Sequence, residues 1–229
     1  MVSELTELVP IYKIKDLYHK IISSYWGEKL LKKERVYREL AERGGAITQR
    51  ELASKCGVSL NLVNSTIREL RRVGAVAVYP MRLRVLDQAK IVYLWGSQRD
   101  LERDISLTYA IGLPVHEIEK NMPGNVVFTA FSGWRLKTGR APFDYKRVYV
   151  YARPRDKPIL ERLLSTLPRT RGDPNTFVML VDDPHLFALS TNQVAPVSQL
   201  FVDIYAMPST PVTDGFLKDI LDKNEHLRL

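Results

Sequence analysis

Apolar residues recur at Ile14, Leu17, Tyr18, Ile21, Ile22 and Tyr25, the spacing of an amphipathic helix, and Gly27 ends that stretch. A second helical pattern covers about 31–43, with Val36, Leu40 and Ala41 inward, and Gly44-Gly45 stops it. Thr48 stands where a third helix needs its N-cap, and Glu51 three residues on spells a capping box. Ser59 caps a fourth helix over about 60–73, closed by Gly74. Between the third and fourth helices lies only Cys56-Gly57-Val58-Ser59, a tight turn that Gly57 permits.

After Gly74 the apolar period shortens from about four to two. Val76, Val78, Leu83 and Val85 alternate around Tyr79-Pro80-Met81-Arg82, which predicts a short hairpin. The pattern is helical again over 87–111, with Ile91, Leu94, Trp95, Leu101, Ile105 and Tyr109 inward and a break near Gly96. Beyond Pro114 and the turn at 122–125, β-rich and helical signals alternate. Strands are expected at 126–128, 148–151 and 177–181, and helices over about 130–138, 156–167, 197–206 and 213–223.

The predicted class is α+β, an N-terminal winged helix-turn-helix followed by a C-terminal α/β domain with a small mixed sheet. The expected divisions are an extension over 1–30, the winged helix over 31–88, a helical linker over 89–112 and the α/β domain over 113–229.

In a helix-turn-helix the second helix enters the major groove while the first braces it across the backbone. On a helical wheel Leu60, Val63, Ile67 and Leu70 gather on one side of the fourth helix. Asn61, Ser65, Arg68 and Arg72 gather on the other, with Asn64 and Arg71 flanking. Asn pairs bidentately with adenine and Arg with guanine. Arg71 and Arg72, near the helix end, suit phosphates as well, which give affinity without sequence information. Arg82 and Arg84 place positive charge at and beside the wing tip. Ser59, with Thr48 and Gln49 at the start of the bracing helix, completes the candidate DNA-contacting set.

Charge strengthens this reading modestly. The chain carries a net +8, and residues 1–95 hold 17 Lys+Arg against 10 Asp+Glu, while residues 96–229 hold 17 against 16. The excess lies in the half that contains the helix-turn-helix, the footprint of a module that meets a polyanion. Residues 134–171 form a second basic stretch, 11 against 3.

Other chemistries find little support. His116-Glu117-Ile118-Glu119-Lys120 opens like a zinc-protease helix but has Lys where the second histidine must stand. Asp182-Asp183-Pro184-His185 reads as a turn with solvated acids. Asp144, Lys146 and Asp203 would need to converge for a nuclease. The lone Cys56 suits a buried core position, and a single cysteine fits a reducing compartment. No catalytic residue, metal or cofactor is expected. The N-terminus shows no secretory pattern and no run is long enough to span a membrane, so a cytoplasmic protein is expected.

The two halves together resemble the AbiEi-type antitoxins of type IV toxin–antitoxin systems and related winged helix-turn-helix regulators. The likeness covers about residues 46–222. Beyond the winged helix, it is carried by Phe128-Thr129-Ala130-Phe131-Ser132-Gly133-Trp134-Arg135-Leu136, then Val148-Tyr149-Val150-Tyr151, then Asn175-Thr176-Phe177-Val178-Met179-Leu180, and lastly residues 194–203. The resemblance implies a repressor of its own operon, with DNA contact at Ser59, Asn61, Asn64, Ser65, Arg68 and Arg72. It also implies a C-terminal domain that neutralises a nucleotidyltransferase-type toxin, directly or indirectly. About 45 residues precede the helix-turn-helix, a departure from the family pattern. The 14–25 stripe suits a homodimer helix and an intramolecular core equally.

The leading expectation is thus a sequence-specific regulator of transcription that binds double-stranded DNA. Two alternatives stay open: an interaction module for which DNA contact is incidental, and a metal-dependent nuclease or nucleotidyltransferase.

Overall fold

The computed structural model describes residues 32–228, so the extension over 1–30 and the amphipathic stretch 14–25 lie outside the described residues. Helix α1 (32–43) leads into β1 (Ala46–Ile47), α2 (Gln49–Cys56) and α3 (Leu60–Arg72). The hairpin follows as β2 (Val76–Tyr79) and β3 (Arg82–Val85). Val36, Leu40 and Ala41 are buried as their spacing predicts, and they meet Leu52, Val63, Ile67 and Leu70 in one core.

Local chemistry sets the boundaries. Thr48 Oγ1 accepts from the Glu51 N–H at 3.0 Å, and Ser59 Oγ accepts from the Leu62 N–H at 3.3 Å. Gly57, at φ +60°, closes α2 in the left-handed region. The wing turn is Tyr79-Pro80-Met81-Arg82, with Tyr79 paired to Arg82. Pro80 supplies the first central residue, and Met81 takes φ +68°, the place glycine usually fills. The sequence pattern missed β1, which pairs antiparallel with β3 to give the order β1-β3-β2. Two residues are too short for an alternation to register.

The second half contains α4 (Gln88–Gln98), α5 (Leu101–Asp104), β4 (Leu107–Tyr109), α6 (Val115–Lys120), β5 (Val127–Thr129), α7 (Ala130–Thr138), β6 (Val148–Ala152), α8 (Lys157–Thr166), β7 (Thr176–Leu180), α9 (Pro184–Leu189), α10 (Val197–Tyr205) and α11 (Pro211–Lys223). The helical reading of 87–111 holds for α4 and α5 and fails at Leu107–Tyr109, which pairs antiparallel with β7. The four-stranded sheet has the order β4-β7-β6-β5, parallel between β7 and β6 and antiparallel elsewhere, a small mixed sheet as expected. Successive side chains alternate between its faces. Tyr149, Tyr151 and Met179 join the core with α7, α10 and the winged helix, whereas Val148, Val150 and Val178 pack with Leu160 and Leu164 of α8.

α7 leaves β5 at a sharp corner. Ala130 takes φ +49° there, and Gly133 sits so close to α10 that a Cβ would lie 2.5 Å from Leu200 Cδ2 and 2.9 Å from the Phe128 carbonyl oxygen. One obstacle is backbone and cannot rotate away. Gly133→Ala is therefore expected to destabilise by about 1–3 kcal/mol through overpacking, although Ala is the better helix former by about 1 kcal/mol. Urea unfolding gives the test, and a stabilised variant would disprove the tight contact.

α4 is buried along Ala89, Ile91, Val92 and Trp95 and packs on both α3 and α10. A continuous core thus runs from Val36 to Leu227. Through it passes a polar seam. Arg99, after α4, donates to Glu34 Oε1 of α1 at 2.7 Å, to Asp203 Oδ1 of α10 at 2.8 Å and to the Tyr151 hydroxyl at 2.7 Å. Arg38 of α1 donates to Asp183 Oδ2 and Gln199 Oε1, each at 2.9 Å, and its guanidinium lies 5.6 Å from the Trp95 ring centre. His185 Nδ1 faces Arg38 Nη1 at 3.2 Å and Nε2 faces Glu39 Oε2 at 3.1 Å. Those partners assign the acceptor role to Nδ1 and the proton to Nε2.

Asp183 corrects the reading of 182–185 as a solvated turn. Asp182 is exposed, but Asp183 and His185 are buried, and Asp183 caps α9 by accepting from the backbone N–H groups of His185 and Leu186. Burial pushes the Asp183 carboxyl up, while Arg38 and Arg35 more than offset this and hold it below the usual carboxylate range. A depressed carboxylate adds stability above its unfolded pKa of about 3.9, and that stability is lost as pH falls through its lower folded value. The gap in urea midpoint between the wild type and Asp183→Asn should therefore be wide at neutral pH and narrow below about pH 4. A gap independent of pH would contradict the assignment.

Candidate nucleic-acid interface

The candidate interface is built on α3. Val63, Thr66, Ile67 and Leu70 form its buried stripe. Thr66 hides its hydroxyl by donating to the Leu62 carbonyl at 2.8 Å. Leu60, predicted inward, is instead 43% exposed. As the first helical residue it lies beyond the reach of the core residues that cover Val63, so the burial stripe begins one turn later.

Every predicted contact residue lies outside the core. Asn61, Arg68, Arg71 and Arg72 are exposed, and Asn64 and Ser65 are half-buried. Asn61 to Arg72 spans about 16 Å along the helix axis at 1.5 Å per residue. Ser65 Oγ donates to the Leu62 carbonyl at 2.9 Å, so its proton is already used within its own helix. The hydroxyls of Thr48 and Ser59 act as helix caps. Arg82 and Arg84 are exposed on the outer face of β3, while Leu83 and Val85 between and after them point inward.

The structure brings Thr48, Gln49 and Arg82 together around a concavity of about 450 Å³, where the starts of α2 and α3 meet the wing tip. Arg84 is two residues farther from the tip and does not line it. Arg50, Leu60, Tyr79 and Met81 also line this space and were not predicted. Arg50 was findable, because it lies in the first turn of the bracing helix beside Gln49. Tyr79 and Met81 read only as hairpin residues, yet Met81 is 92% exposed.

These arginines differ from those already engaged in ion pairs. Arg35, Arg38, Arg99 and Arg135 each hold a carboxylate. Among the described residues, Arg50, Arg68, Arg71, Arg72, Arg82 and Arg84 have no ion pair or hydrogen bond from their side chains. Their charges are free to meet an external anion.

The enzymatic constellations fare differently. Asp203 is fully buried against Arg99, whereas Asp144 and Lys146 are exposed. The three do not converge. Among the described residues, no group of three His, Cys, Asp or Glu is placed to hold a metal ion. Cys56 is buried, its thiol donates to the Arg35 carbonyl at 3.4 Å, and burial pushes its pKa up to about 12. It is a core residue. No helix among the described residues is long and apolar enough to cross a membrane.

In comparison with protein families, residues 31–76 match the family model described as winged helix-turn-helix DNA-binding. That segment holds α1, β1, α2 and α3 and the first residue of β2. Comparisons with curated proteins and with solved structures returned no match. The likeness to the AbiEi type found in the sequence has no counterpart in these comparisons, whereas the winged helix-turn-helix does.

Proposed function

We propose that the protein is a sequence-specific regulator of transcription that lays α3 in the major groove of double-stranded DNA and the wing along the backbone. The reading is carried by one observation, the row of uncompensated arginines beside Asn61 and Asn64 on the open side of α3. In this reading residues 31–88 contact DNA, α4 joins that part to the α/β region over 113–229, and the protein has no catalytic role. Asn61, Asn64 and Arg68 read base edges, and Arg71, Arg72, Arg82 and Arg84 hold phosphates.

Fluorescence anisotropy across a salt series tests it. The logarithm of the binding constant falls by about 0.9 per phosphate neutralised for each unit of log salt, so four phosphate-bound arginines give a slope of about −3.6. A slope near zero would remove the proposed polyanion contact.

The finer reading, an antitoxin-like repressor of its own operon, is supported by the order of the C-terminal sequence blocks. Co-expression of the full chain with a nucleotidyltransferase-type protein encoded beside it should restore growth. Rescue that persists when Arg68 and Arg72 are both Ala would favour an interaction module for which DNA contact is incidental.

A further inference from the structure

The DNA-binding reading leaves a second concave space unused. It lies between α5, α7, the strap over 141–147 and the connection from α10 to α11, and its volume is about 340 Å³. Leu101, Ile105, Phe131, Tyr149, Met207 and Val212 make its interior. Charge is confined to the mouth, where Glu102, Asp144, Lys146 and Arg147 are all exposed. Among the described residues, the side chains of Glu102, Asp144 and Lys146 make no hydrogen bond or ion pair. An apolar interior of several hundred Å³ with a few polar groups at one end is the usual composition of a small-molecule site.

Loose packing would also leave a gap, but these walls are fixed from behind. The Tyr145 ring stands 5.8 Å from Phe131, while its hydroxyl donates to Glu119 Oε1 at 2.7 Å and accepts from Arg135 Nε at 3.0 Å. Phe143 holds the strap against α11 so closely that a Cβ on Gly215 would lie 2.0 Å from its ring. The Thr210–Thr213 capping box sets the start of α11. Such walls resist collapse and lower the ordering cost of binding.

We propose that this cleft binds a small planar aromatic molecule of no net charge, with its polar groups at one end. The ring would pack on Phe131, Tyr145 and Tyr149 in offset or edge-on geometry. The mouth carries two acidic and two basic side chains, which suits an uncharged or zwitterionic head better than a simple anion.

The site is also tied to the recognition helix. Leu101 lies three residues after Gln98, whose Oε1 accepts from Lys33 at 3.1 Å and lies 3.3 Å from the Tyr37 hydroxyl. Tyr37 donates at 3.1 Å to Glu69 of α3, and Lys33 pairs with the same carboxylate. A shift of the α4–α5 corner on ligand binding is therefore felt by α3. This transmission, unlike the site itself, rests on the DNA-binding reading.

Titrating the full chain with N-phenyl-1-naphthylamine, an uncharged probe that brightens in apolar surroundings, tests the site. Saturable binding to one site is expected. Val212→Trp, which fills the cleft, and Met207→Glu, which charges it, should each weaken binding at least tenfold, with melting curves identifying the variants that stay folded. Absence of saturation, or wild-type affinity in a folded variant, would overturn the site. Saturating probe should move the midpoint of DNA binding at least threefold, and DNA should move the probe's affinity by the same factor. An unchanged midpoint would overturn the transmission. Probe binding in a protein that binds no duplex would leave the site standing and remove the DNA reading instead.

Discussion

Arg99→Ala is expected to lower the unfolding free energy by about 3–5 kcal/mol, the usual cost of removing one partner from a buried ionic group. Arg99 is inaccessible, as are Glu34 and Asp203, which it holds from α1 and α10. With the guanidinium gone, Glu34 and Asp203 stay in the interior without their cation, the partly exposed Asp104 loses its partner at 2.8 Å, and the Tyr151 hydroxyl loses one donor. The remaining donors to Asp203, from Gln199, Tyr151 and Thr129, cannot replace a full charge. For a chain of this size the loss corresponds to a fall in melting temperature of roughly 6–20 °C. The seam joins the winged helix to the α/β region, so loss of the arginine should also be felt at α3. Arg99→Met together with Glu34→Leu and Asp203→Leu removes the three fully buried charges, leaves the partly exposed Asp104 to water, and should recover much of the loss. Thermal and urea unfolding of both variants decide the matter. A cost below 1 kcal/mol for Arg99→Ala would mean that water or rearrangement relieves the stranded acids.

The second large effect concerns DNA. If Arg68 reads a base edge, Arg68→Ala should weaken binding to the preferred sequence by about 1–3 kcal/mol, or roughly 5- to 150-fold, and relax specificity at one position. Arg72→Ala, at the helix end, should weaken all duplexes alike and reduce the salt slope by about one. Neither side chain supports the fold, because both are exposed and unpaired among the described residues. Melting temperatures should therefore stay near wild type. Arg162→Ala provides the control. That exposed arginine lies on α8, which packs on the sheet face away from the winged helix. Selection of preferred sequences from a random pool, followed by anisotropy, makes the comparison. Affinity unchanged by both α3 substitutions on every duplex would eliminate the proposed recognition face.

The two predictions rest on different kinds of information. The α3 face could be read from order alone, since Asn61, Ser65, Arg68 and Arg72 recur at helical spacing opposite Val63, Ile67 and Leu70. Caps at Thr48 and Ser59, the turn at Gly57 and the hairpin after Gly74 act over a few residues, so sequence carries them. The α+β class followed from a change of period, and β5, β6 and β7 of the mixed sheet lie near the places where the sequence put strands, whereas β4 read as helix. Cys56 could be placed in the core by elimination.

The seam had no such signal. Glu34, Arg38 and Glu39 look like the solvated face of an amphipathic helix, because α1 already has an apolar stripe at Val36, Leu40 and Ala41. Only packing on distant elements buries that second face, through Asp183, His185 and Gln199 at separations beyond 140 residues and through Arg99, which holds Glu34 across 65. Asp183 reads as a turn residue until Arg35 and Arg38 arrive from that distance. Likewise β1 exists because β3 offers it partners, and Met81 reaches the concavity because the wing folds toward the start of α3. Local periodicity determined which helix is amphipathic, where it starts and which of its faces is polar. Tertiary structure decided which polar faces are buried, because the partners that make burial affordable come from distant parts of the chain.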